Sequence, residues 1–246
     1  MRRLEVLAVE GLPEVHPGDD LAALIHSRTT LETGDVVVVA QKIVSKAEGR
    51  LVRLGDVTAG DEARKIAARL TAAPDPRIVQ VVLDESVRVV RSDRVLITET
   101  RHGFVCANGG VDHSNVPGDD VLSLLPDDPD ASARSLRDRL AHLSGTEIGV
   151  IISDTFGRPW RVGIVNVALG IAGVPPVVDL RGSVDDTGKD LHATVLAVSD
   201  DLAAAAGLVM GKTSRTPVVI VRGFEAGAEP GTGRDMIRSP SEDLFR

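Results

Sequence analysis

The sequence predicts an α+β fold, on three observations. Strand-like and helix-like segments alternate along all 246 residues. The runs Val87–Val90, Val95–Thr98 and Phe104–Ala107 follow one another across turn residues, as short antiparallel strands do. Hydrophobic residues at 43% and charged residues at 26% are what a chain with a substantial core carries. Mixed, partly antiparallel strands with interspersed helices speak against a doubly wound parallel sheet.

Each element has a local reason. Leu4–Val9 reads as a strand. Pro17-Gly18-Asp19-Asp20 is a turn and N-cap leading into a helix over Leu21–Ser27, where Leu21, Leu24 and Ile25 make one apolar face. The β-branched run Val36–Ala40 is a buried strand. Asp61–Leu70 is an amphipathic helix with Ala63, Ile66, Ala67 and Leu70 on one side, and Arg77–Leu83 is a second helix entered through Pro74 and Pro76. Pro126–Asp130 is a proline- and aspartate-rich connector, the expected boundary between two lobes, and Ala131–Leu143 is the helix beyond it. Glu147–Ile152 and Leu191–Val198 read as strands, Asp200–Met210 as an alanine-rich helix capped by Ser199 or Asp200, and Val218–Val221 as a final strand.

Composition narrows the function. With 28 basic against 36 acidic residues the net charge is −8, and four Phe, one Trp and no Tyr leave few stacking platforms, so a nucleic-acid reader is excluded. Apolar runs such as Val36–Ala40 fall far short of the ~20 residues of a membrane span. Glu5 and Glu10 break the apolar start that a signal peptide needs. The single cysteine, Cys106, sits in an apolar strand as a small hydrophobe, and the expected compartment is cytoplasmic.

Four segments keep chemistry-bearing residues. Asn108-Gly109-Gly110-Val111-Asp112-His113-Ser114-Asn115 offers oxygen donors suited to Mg2+ or Mn2+, although by itself it reads as a turn-rich loop. Ser153-Asp154-Thr155 ends a buried strand, either as a metal site beside phosphates or as an ordinary strand-to-loop turn; Arg158 and Arg161 would add anion contacts. Lys46, before the Gly49 turn, is placed to reach a phosphate, though a lone lysine there is more often solvated. Gly211-Lys212-Thr213 has the end of a Walker A motif, but Ala206 stands where its first glycine belongs. It also follows a helix and precedes a strand, the reverse of a P-loop.

Together these segments resemble the F420:γ-glutamyl ligase family. The carriers are Val9-Glu10-Gly11-Leu12-Pro13, Gly18-Asp19-Asp20-Leu21, Val44-Ser45-Lys46-Ala47-Glu48-Gly49-Arg50, Gly110-Val111-Asp112-His113-Ser114-Asn115-Val116, Ile152-Ser153-Asp154-Thr155-Phe156-Gly157-Arg158 and Met210-Gly211-Lys212. The resemblance implies one ligase domain over 1–246, of a two-lobed mixed-sheet α+β type that is neither P-loop nor Rossmann. It implies a homodimer that adds L-glutamate to coenzyme F420-0, consuming GTP through an acyl phosphate. The implied cofactor is a divalent cation, Mg2+ or Mn2+, with K+ as a further ion. By the same resemblance Asp112, Asp154 and Thr155 hold metal. Leu12, Pro13, Glu14, Val15, Gln41, Lys46, Asn115, Met210, Gly211, Lys212 and Thr213 contact GTP. The chain departs from the family's pattern at Gln41, where Ser is common, and at Lys212, near which some members carry an acidic metal ligand. Two other readings use the same residues: a metal-dependent phosphohydrolase, and a non-catalytic GTP- or deazaflavin-binding module.

Overall fold

A computed structural model describes residues 3–114, 116, 118, 120–225 and 229–243. In chain order its first elements are β1 (Glu5–Ala8), α1 (Leu21–His26), β2 (Val36–Ala40), α2 (Gln41–Ala47), β3 (Leu51–Arg53), α3 (Asp61–Ala67) and α4 (Pro76–Asp84). There follow β4 (Ser86–Asp93), β5 (Val95–Thr100), β6 (Val105–Ala107), β7 (Val121–Ser123) and α5 (Pro129–Ser144). The chain continues through β8 (Gly149–Arg158), β9 (Arg161–Ala172), β10 (Val178–Asp179), β11 (Val195–Leu196), α6 (Val198–Met210) and β12 (Val218–Arg222). No described helix is long and apolar enough to cross a membrane.

The main sheet has the order β1-β12-β2-β8-β9, and β2 with β8 is its one parallel pair among antiparallel neighbours. The fold is therefore α+β with a mixed sheet. Four consecutive valines of β2 are buried because helices cover both faces. Val37 and Val39 pack with Ile25 of α1 and Leu136 and Leu140 of α5. Val36 and Val38 pack with Leu202, Ala203 and Ala206 of α6 on the other side. Local chemistry starts the helices: Asp20 Oδ1 accepts from the Ala23 N–H, and Asp128 Oδ1 accepts from the Ala131 N–H with Pro129 opening α5. Gly145 ends α5 in the left-handed conformation, φ 70°.

Residues 54–124 build a separate apolar cluster, with Ala63 and Ile66 of α3, Val79 and Val82 of α4, and Leu96 of β5. The antiparallel sheet β4-β5-β6 covers it. Helix α5 begins just beyond, and Arg50 ties the two parts together. Its guanidinium donates to Glu85 Oε2 at 2.8 Å and to the Leu125 carbonyl at 3.0 Å.

Three expectations need correction. The strand at Glu147–Ile152 runs on to Arg158 and pairs with β9 in a long hairpin that local pattern did not reveal. Asp154 and Thr155 thus lie inside a strand rather than at its end. The strand at 191–198 shrinks to Val195–Leu196, because its alternating residues face solvent and have no core to meet. Helix α6 begins at Val198 with Ala197 as its cap. Ser199 Oγ instead donates to the Pro175 carbonyl, and Asp200 Oδ1 accepts from the Ala168 N–H, so both expected caps are committed to holding α6 against its neighbours.

Cys106 is buried on β6, and desolvation, with the Asp154 charge adding to it, pushes its thiol up to about 12. Little thiolate exists at pH 8, so the native protein should resist iodoacetamide and react only after unfolding. Mass spectrometry of the alkylated chain checks this; full native labelling within minutes would contradict it.

Candidate functional site

The parallel pair β2–β8 ends with Ala40 opposite Ser153, and ligands in α/β sheets gather outside such carboxyl ends. Four connections converge there. Helix α2 starts directly at Gln41, the loop after β1 brings Leu12–Val15, and the α6–β12 connection brings Gly211–Pro217. The loop after β6 brings Asp112, fastened by two backbone hydrogen bonds with Ser123 at 2.8 and 3.0 Å. They enclose a cavity of about 870 Å³.

Its wall contains nearly every residue singled out from sequence: Leu12, Pro13, Glu14 and Val15; Gln41 and Lys46; Asp112, Asp154 and Thr155; and Met210–Thr213. Asn115 lies outside the described residues. Of the two readings of Lys46, the solvated surface lysine fails: it sits on α2 ahead of the Gly49 turn, its side chain is only 6% exposed, and Nζ meets Glu14 Oε1 at 2.5 Å. Gly211-Lys212-Thr213 does connect a helix to a strand, so no P-loop is formed. Arg158 and Arg161 do not line the cavity; Arg158 donates to the Val162 carbonyl across the β8–β9 turn.

Sequence reasoning missed Lys42, Asn166 and Arg215, which also form the wall, as does Ser153 of the singled-out Ser153–Thr155 segment. Lys42 Nζ donates to Asp112 Oδ2 at 2.5 Å and to the Ser114 carbonyl at 2.6 Å. Lys212 Nζ donates to Thr155 Oγ1 at 2.6 Å, and that hydroxyl donates to Asn166 Oδ1 at 3.1 Å. Helix α6 leaves room for Asn166 with Gly207, whose added Cβ would lie 2.9 Å from Asn166 Cγ. No short-range pattern marks Asn166, because it matters only through partners brought by folding.

The two carboxylates differ in electrostatic setting. Burial alone would raise Asp112, but hydrogen bonds from Lys42 and the Ser114 N–H outweigh it and hold the carboxyl below its ordinary value. Asp154 is enclosed more deeply, and desolvation pushes it up to about 6. The Thr155 N–H opposes that rise, the Asp112 charge adds to it, and Lys212 and Lys42 offset part of it.

The donor chemistry fits a hard divalent cation. Asp112, Asp154, Thr155 and Ser114 offer only oxygens, and Ser153 Oγ is buried at the wall without a hydrogen-bond partner. No group of three or more His, Cys, Asp or Glu that could hold a metal occurs among the described residues. Two carboxylates completed by hydroxyl, water and phosphate oxygens is the arrangement Mg2+ commonly takes. Lysines around such a pair make the cavity suited to polyanions that arrive with a cation.

Residues 11–223 match the profile of the family described as F420-0:Gamma-glutamyl ligase. The chain is 48% identical to the coenzyme F420:L-glutamate ligase of Methanopyrus kandleri, with 100% of each chain covered. It is 44% identical to the protein of the same name from Methanothermobacter thermautotrophicus, with 99% of each covered. The corresponding Methanocaldococcus jannaschii protein is 41% identical over 100% of this chain and 98% of its own. That likeness runs from end to end of a chain whose mixed sheet closes on a cavity walled by Asp112, Asp154 and three lysines, and the chain belongs to the F420-0:γ-glutamyl ligase family.

Proposed function

We propose that this chain joins L-glutamate to the carboxylate of coenzyme F420-0 in a GTP-dependent reaction, and adds further γ-linked glutamates by the same chemistry. The observation that carries the reading is one cavity that collects Asp112, Asp154, Thr155 and Lys46 from separate parts of the chain. A carboxylate is a poor acyl donor because oxide does not leave at neutral pH. Attack of a carboxylate oxygen on the γ-phosphorus of GTP forms an acyl phosphate and releases GDP. The glutamate amine then attacks the acyl carbon, phosphate leaves with the C–O bonding pair, and the nitrogen gives up its proton.

The reactants are all anions, so their mutual repulsion is the main obstacle. Lys46, Lys42, Lys212 and Arg215 bring positive charge to the wall of a protein whose net charge is −8. Asp112, Asp154 and Thr155 would hold the divalent cation, which supplies charge stabilisation for the transferring phosphoryl group when bound. Ser153 Oγ offers a further oxygen on that wall. A homodimer belongs to the same proposal, and Trp160, Val162 and Ile164, exposed on the β8–β9 hairpin, support it.

Phosphate release tests this against hydrolysis: it should require F420-0, glutamate, GTP and Mg2+ or Mn2+ together. Release from GTP alone at the same rate would favour a phosphohydrolase. Lys46→Met tests the nucleotide contact. Losing a charge-assisted hydrogen bond of about 1.5–3 kcal/mol should raise the KM for GTP roughly ten- to hundredfold. The nucleotide-free melting temperature should barely change, because the partner Glu14 is 57% exposed and such pairs add little stability. Unchanged GTP binding by calorimetry would remove Lys46 from the site.

A further inference from the structure

Lys42 is the one lysine of the cavity whose ammonium sits inside an oxygen cage. Its three N–H groups meet Asp112 Oδ2 at 2.5 Å, the Ser114 carbonyl at 2.6 Å and the Ser114 hydroxyl at 2.8 Å. The cage is itself held in shape, since Asp112 Oδ1 accepts from the Ser114 N–H at 2.8 Å and Oδ2 from the Ser114 hydroxyl at 2.9 Å. A carboxylate, a carbonyl and a hydroxyl are also the ligands a hard divalent cation takes. An ammonium and a divalent cation on the same oxygen, Asp112 Oδ2, would repel each other strongly at contact distance.

We propose that Lys42 is an exchangeable counter-ion: it occupies Asp112 and Ser114 until the divalent cation arrives, and is then freed toward the anionic groups of the substrates. The cation wins the exchange through its second charge and through Asp154, which stands close enough for its charge to act on Asp112. The freed ammonium stays in the cavity, because the Lys42 side chain runs along its wall and is only 16% exposed. The lysine thereby keeps Asp112 neutralised between turnovers. It also delivers its own charge at the moment three anions are brought together. This inference rests on the ligase reading only for the identity of the anions.

The experiment measures Mn2+ binding to the full chain, by calorimetry and by the electron paramagnetic resonance of free Mn2+, for wild type, Lys42→Met and Lys42→Arg. Without nucleotide, Lys42→Met should bind Mn2+ about tenfold or more tightly than wild type, because no ammonium has to be displaced. With saturating Mn2+, the same variant should bind GTP about tenfold more weakly. Lys42→Arg keeps the charge and should not gain Mn2+ affinity. A side chain with a purely structural role would not tighten one ligand and weaken the other. If Lys42→Met binds Mn2+ no more tightly than wild type, or GTP no more weakly, the exchange is wrong while the ligase reading stands. If wild type binds no Mn2+ even with GTP present, the divalent-cation assignment and the exchange are both wrong. Acetylation of unmodified wild type gives the same answer without a variant: Mg2+ should accelerate modification of Lys42, and protection by Mg2+ would overturn the proposal.

Discussion

Asp154→Ala should lower turnover at least about a hundred- to thousandfold while leaving the protein folded. Asp154 is a carboxylate that desolvation disfavours, with its ordinary ionisation pushed up to about 6. The folded chain gains little from holding it there, so its removal should leave the melting temperature unchanged or slightly raised. A buried charge kept against that penalty points to a ligand that repays it, and the oxygens beside it fit a divalent cation. Asp112→Ala should lose activity to a similar degree. Steady-state turnover at low Mn2+, with thermal melts alongside, checks both. Near-normal turnover in either variant would remove that carboxylate from the site.

Gly170→Ala should destabilise the protein by about 3 kcal/mol or more, the upper end of overpacking effects, and lower the melting temperature by roughly 6–12 °C. An added Cβ would lie 2.2 Å from the carbonyl carbon and oxygen of Pro129 and 2.7 Å from the Asp130 nitrogen. These are backbone atoms at the start of α5, so no rotamer change relieves the clash. That backbone is pinned, because buried Asp130 accepts from the Ile171 N–H at 2.9 Å and the Gly233 N–H at 2.7 Å. Strand β9 must therefore shift, and with it Asn166 and the pairing that holds Thr155. Urea unfolding measures the loss; a change below about 0.5 kcal/mol would mean that the strand and helix are less tightly placed than described.

Much of the scaffold was legible because burial writes itself into sequence. The four valines of β2 and the apolar face of α3 each carry a local signal, whereas the proline- and aspartate-rich run 126–130 reads as a connector and conceals the Asp128–Pro129 start of α5. The β8–β9 hairpin carries no such signal. From Gly157 to Ile164 it is exposed, and backbone pairing rather than an apolar pattern holds it together. Within the site, Asp112 alone reads as a turn residue and Asp154 as either a metal ligand or a turn residue, and only the family resemblance joins them, because their approach is a tertiary event. Lys42 carried no signal at all. Its partner Asp112 lies 70 residues away in sequence, and nothing near Lys42 announces the cage it occupies.

The most direct measurement is mass spectrometry of F420-0 incubated with the full chain, GTP, L-glutamate and Mn2+. The account predicts a product heavier by one or more glutamyl residues, formed with stoichiometric GDP and phosphate, and absent when GTP or glutamate is left out. GDP and phosphate appearing with F420-0 unmodified would contradict it.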